Sequence, residues 1–216
     1  MPAESEGGRL VAVEAARGRD TERGAARVRS ALNRPRRDMR AAISHWDASG
    51  TFYELRCAGK RALTLAPRTL LLLYASDLAF RLRWEIQPAL ANGQIVIAAP
   101  YLDTAIAFGE AAGLPRKWMD EIFRFAPRAD VCLHMKDSKD GGGWKRRPMD
   151  GFPEFGAAAM IPGKQTGRDS PRCEQAIESL QRLKRAGACG SLGKKTLGSL
   201  VKTLRRGRPL TPSRGR

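Results

Sequence analysis

Residues 67–113, PRTLLLLYASDLAFRLRWEIQPALANGQIVIAAPYLDTAIAFGEAAG, constrain the fold more than any other part of the chain. Two helix-forming stretches enclose QIVIAA, which has no polar residue after its first. A strand wet on one side alternates apolar and polar residues, whereas one buried on both faces reads as a continuous apolar run. Residues 94–99 are of the second kind. The helix before them is opened by Pro67 and closed at Asn92-Gly93, and the next begins at Pro100. The alternation extends outward. LVAV (10–13) and AAIS (41–44) read as buried strands flanking a helix over 21–33, with Ala25, Val28, Ala31 and Leu32 at helical spacing and Thr21 as its N-cap. Downstream, residues 115–126 suit a short amphipathic helix and ADVCLHM (129–135) another strand. The pattern predicts an α/β fold, a three-layer parallel sheet with helices on both faces. Ligands in such sheets bind beyond the carboxyl ends of the strands, which points to 14–22, 45–51, 99–104 and 136–150.

The net charge of +17 suggests nucleic acid as a partner until it is located. Residues 161–216 carry 14 Lys/Arg against 3 acids, and residues 1–44 carry 10 Arg against 6. Between them, residues 45–160 are nearly neutral. No Phe, Trp or Tyr follows Phe155, so residues 156–216 are expected to be a basic, disordered tail, able to attract phosphates without sequence preference. Residues 136–155, rich in glycine and charge, read as a lid-like loop, and residues 1–8 as a flexible N-terminus. The globular domain is therefore expected over 9–155. Cys57, Cys132, Cys173 and Cys189 are widely spaced, and His45 and His134 are the only histidines, so no metal site is expected. No apolar run reaches about 18 residues and no secretory leader opens the chain, which predicts a cytoplasmic protein with no membrane contact.

The run from Leu65 to Leu114 resembles thymidylate kinases, which carry SPRTELLLFAADRAQHVEEVIRPAL or close to it, then G-x-x-V-I-x-D-R-Y-x-D-S-x-x-A-Y. The resemblance implies a P-loop, nucleoside-monophosphate-kinase-like fold. It also implies transfer of the ATP γ-phosphoryl group to thymidine monophosphate with Mg²⁺. Extended outward, the family's E-G-x-D-G-x-G-K-[ST]-T falls on Glu14–Arg23, and its R-E-P-G-G-T on Trp46–Thr51.

At the chemical positions the chain departs from this pattern. The phosphate-binding lysine falls on Thr21, the magnesium-binding hydroxyl on Glu22 and the preceding glycine on Asp20. D-R-Y reads Ala99-Pro100-Tyr101, and the arginine of A-D-R is Leu78. What the resemblance leaves is Asp47, Arg146 and Arg147 for catalysis. For nucleotide binding it leaves Arg17, Gly18, Arg19, Thr21, Asp77, Tyr101 and Asp103. Phosphoryl transfer rests on positioning and charge neutralisation, so the family activity is expected to be weak or lost. ATP and Mg²⁺ are then cofactors only if activity survives. The alternatives are a non-catalytic scaffold on the kinase fold and a nucleic-acid binder acting through its tail. The family's use of helix 69–91 in pairing implies a homodimer or heterodimer, with Leu78, Phe80, Leu82 and Trp84 as candidate contacts. Asp77 and Asp103 can equally be solvated carboxylates, and Trp46 can pack beneath its loop rather than stack on a base.

Overall fold

The computed structural model describes residues 7–15, 18–33, 41–57, 65–135 and 190–191. Five strands, β1 (Arg9–Glu14), β2 (Ala41–His45), β3 (Ile95–Ala99), β4 (Val131–His134) and β5 (Gly190–Ser191), form one sheet in the order β2-β3-β1-β4-β5. Every pairing is parallel. The helices are α1 (Gly18–Asn33), α2 (Thr51–Cys57), α3 (Pro67–Arg81), α4 (Gln87–Ala91), α5 (Leu102–Ala111) and α6 (Arg116–Ile122).

Strand residues alternate between two cores. Val11, Val13, Ile95, Ile97 and Leu133 face Ala25, Val28 and Leu32 of α1. Leu10, Ala12, Val96 and Ala98 face the larger cluster built from α3, α5 and α6. Both faces of the sheet are thus covered, as its continuous apolar runs require. Gly24 lets α1 lie close to β1, since a Cβ there would fall 2.8 Å from Val13 Cγ1.

Four differences from the sequence expectations have physical causes. Helix α1 begins at Gly18 rather than beyond Thr21, because apolar spacing marks only the packed face and is blind to a polar first turn. Helix α2 offers only Phe52 and Leu55 as an apolar pair, too short a pattern to mark a helix in the sequence. Residues 67–91 are continuous but interrupted: Leu82–Ile86 is a π-helical turn between α3 and α4. The Gln87 N–H there reaches the Leu82 carbonyl. Pro88 lacks the N–H that would continue an α-helical ladder, and the wider turn precedes it directly. Finally Gly190 and Ser191, inside the segment 156–216 expected to be disordered, extend the sheet by backbone pairing to Leu133 and His134. An open strand edge accepts backbone from any sequence. The rest of that segment, the loop 136–155 and residues 1–6 lie outside the described residues.

Leu78 and Leu82 are buried in the larger core, which removes them as pairing contacts. Phe80 (40% exposed) and Trp84 (66%) remain on the surface, with Leu72 (51%) on the same helix. Among the described residues no helix is long and apolar enough to cross a membrane.

Candidate functional site

The connection leaving β1 heads to the β2 edge, whereas those leaving β3 and β4 head the other way. Adjacent strands β1 and β3 therefore part company at their carboxyl ends, the position where open α/β sheets form their crevice. Four side chains gather there.

Glu14 ends β1 and is 1% exposed. Its carboxylate accepts the backbone N–H groups of Tyr101 (3.1 Å), Asp103 (3.1 Å) and Thr104 (3.2 Å), and the Thr104 hydroxyl (2.6 Å). Glu14 thus caps α5 from another element, supplying the oxygens that the helix's own N-cap residue, Tyr101, does not. Burial, and then the charge of Asp103, push its carboxyl up to about 7, against the opposing pull of Thr104, Tyr101 and His134.

Glu14 is in register with His134 and Ala12 with Cys132, so Glu14, Cys132 and His134 share the α5 side of the sheet. Asp103, in the first turn of α5, comes down onto them. Its Oδ2 lies 2.8 Å from His134 Nε2 and accepts the Cys132 thiol at 3.5 Å. One ligand atom from each of Asp103, Cys132 and His134 falls within 4.8 Å of the others. The sequence pattern gave no sign of this grouping. Cysteine counting seeks paired cysteines in sequence, and this cluster is assembled across strand and helix.

Of the remaining candidates, Tyr101 meets this group through its backbone N–H to Glu14. Asp77 is buried, and its carboxylate accepts the backbone N–H groups of Asp47 and Ser49 and the Ser49 hydroxyl, each at 2.9 Å. Asp47 has φ 60° and accepts the N–H groups of Phe52 (2.7 Å) and Tyr53 (2.8 Å), capping α2. These two acids hold one turn. Trp46 packs its ring on Phe52, 4.9 Å between centroids, as the bland alternative had it. Tyr101 is buried, and its hydroxyl donates to the Pro127 carbonyl at 2.7 Å. Asp20 and Thr21 are 2% and 1% exposed in the first turn of α1. Gly18 and Arg19 belong to that turn, while Arg17, Arg146 and Arg147 lie outside the described residues.

Sequence reasoning passed over one buried cation. Arg81, fully buried, donates from Nε to Ser44 Oγ (3.0 Å) and from Nη2 to the carbonyls of Ser44 (2.9 Å) and Pro100 (3.1 Å). Ser44 in turn donates to Glu85 at 2.6 Å. Nη1 of Arg81 is buried and has no hydrogen-bond partner among the described residues. A positive charge thus sits at the ends of β2 and β3, one helical turn beyond Leu78.

No protein-family profile matches the chain. A probable thymidylate kinase of Pyrococcus abyssi is 40% identical over 62 residues, 29% of this chain and 30% of that protein. The corresponding protein of Staphylothermus marinus is 33% identical over 85 residues, 39% of this chain and 43% of its own length. The thymidylate kinase of Xanthomonas oryzae pv. oryzae is 50% identical over 48 residues, 22% of this chain and 21% of that one. The chain thus spans less than half the length of these curated relatives. In structure it is similar to thymidylate kinase from Ehrlichia chaffeensis, with a TM-score of 0.66 at 12% identity, covering 92% of this chain and 99% of the other. The chain is thus similar to thymidylate kinases in its parallel-sheet fold and, over a short stretch, in sequence.

Proposed function

We propose that the chain is a thymidylate-kinase-like protein in which phosphorylation of thymidine monophosphate by ATP is weak or lost, and which acts by pairing through helix 69–91. The observation that carries this reading is Asp20, 2% exposed in the first turn of α1. A helix N-terminus attracts phosphate because its free N–H groups and dipole are positive. An acid buried in that turn supplies the anion from the chain itself and repels a triphosphate. Thr21, equally buried, offers no cation where the resemblance puts lysine. The described residues therefore do not fit ATP with Mg²⁺.

Surface Leu72, Phe80 and Trp84 support the pairing role, with a second copy or a related kinase chain as partner. Nucleotides remain possible ligands under this reading only with weakened affinity. The basic segment 161–216 supports an additional, non-specific attraction to nucleic acid.

A coupled assay with ATP, thymidine monophosphate and Mg²⁺ tests the proposal. Typical enzymes turn over at about 10 s⁻¹, and each missing cation lowers the rate by about 10²-fold or more. The expected turnover is below about 10⁻² s⁻¹, with a melting temperature that rises only at nucleotide concentrations far above those a working kinase needs. Turnover of several per second would overturn it.

A further inference from the structure

We propose that Asp103, Cys132 and His134 form a binding site for a divalent transition-metal ion, of which Zn²⁺ is the best match. This site does not depend on the pairing role. Cys132 and His134 are two apart on β4 and so point to one face of the sheet. Asp103 meets them from the first turn of α5. The donor set is one thiol, one imidazole and one carboxylate, the mixture that suits Zn²⁺ and is foreign to Mg²⁺, which takes oxygen ligands.

Two of the three ligand–ligand spacings lie near tetrahedral values, and the third is within 4.8 Å. Zinc–ligand bonds of about 2.0 Å to nitrogen or oxygen and about 2.3 Å to sulfur give tetrahedral edges of about 3.3 and 3.5 Å. The Cys132 Sγ to Asp103 Oδ2 separation is 3.5 Å, and His134 Nε2 to the same oxygen is 2.8 Å. An ion there would replace the protons now shared between these atoms, with an opening of about half an ångström between the last two. Three protein ligands leave a fourth position for water. Asp103, with 26% of its side chain exposed, is the open side, while His134 is nearly enclosed at 6%. Glu14 holds Asp103 from behind through its backbone N–H, and so positions the helix turn that delivers the carboxylate.

Cobalt(II) is the probe, because a cobalt–thiolate bond gives a near-ultraviolet charge-transfer band that oxygen and nitrogen ligands do not. The full chain, stripped with chelator and reduced, is titrated with Co²⁺ and then Zn²⁺. One equivalent is expected to produce the charge-transfer band with intense visible bands of tetrahedral cobalt, and Zn²⁺ should displace both stoichiometrically. Cys132→Ser should abolish the band, and His134→Gln should weaken binding by more than about 100-fold, the upper end of what loss of an outer partner alone costs, with far-ultraviolet circular dichroism confirming that both variants fold. A variant with Cys57, Cys173 and Cys189 all changed to serine should keep the band. A band that survives Cys132→Ser, or that disappears with the other three cysteines, would overturn the site, as would the lack of any band in the wild-type chain.

Discussion

Glu14 shows how one carboxylate can serve a fold and burden it. It ends a buried strand and offers its oxygens to three backbone donors and a hydroxyl of α5, yet burial pushes its carboxyl up to about 7. The unfolded chain ionises this group near 4.5. Between those values the unfolded state binds fewer protons than the folded one, so stability must fall as pH rises. In chelator-treated protein, the unfolding free energy measured in denaturant at each pH should drop from pH 4.5 to 7 by up to about 3 kcal/mol from this group. It should level off above that. Glu14→Gln removes the titration and should flatten that part of the profile, whatever it costs in lost acceptors. An unchanged slope in the variant would assign the pH dependence to other groups. An acid closing the apolar run LVAV was visible in the sequence, and its position at a strand end was the sign that it mattered. Its partners were not visible, because they lie almost ninety residues away.

At the scale of elements, the turn between β2 and α2 exists because of two acids, one local and one distant. Asp47 caps α2, and Asp77 of α3 grips the turn through three hydrogen bonds. Hydrogen bonds to a charged acceptor are worth about 1.5–3 kcal/mol each and do not add fully. Asp77→Ala should therefore cost about 2–4 kcal/mol, a fall in melting temperature of about 4–16 °C for a chain of this size. Asp77→Asn should lose less. A melting temperature unmoved by Asp77→Ala would mean that the turn holds without it. Helix α2 was unreadable in advance because TFYELRC is short and rich in β-branched and aromatic residues, so its cap and not its propensity makes it helical. By contrast α3, β3 and α5 were legible: they are long, strongly apolar and punctuated by Pro67, Gly93 and Pro100. Arg81 was overlooked because an arginine on an apolar helix reads as surface, and only contact with Ser44 and Pro100 shows it to be interior.

For the whole molecule, the π-helical turn leaves Phe80 and Trp84 outside while Leu82 and Ile86 stay in the core. Large exposed apolar side chains on one helix are what an interface needs at its centre. Light scattering with size exclusion should find a dimer at micromolar concentration. Trp84→Ala should raise its dissociation constant at least about 30-fold, the effect of a 2 kcal/mol contact. A monomer at millimolar concentration would remove pairing with a second copy. The sequence by itself determined the layered α/β architecture, because strands buried on both faces read as continuous apolar runs between helices, and it determined that Asp20, Thr21 and Leu78 stand where the resemblance puts glycine, lysine and arginine. Only the tertiary structure decided which acids meet which backbone groups, that Cys132 and His134 come under Asp103, and that Arg81 is interior. Strand order and helix crossing bring together residues far apart in the chain, and no local pattern records where they will meet.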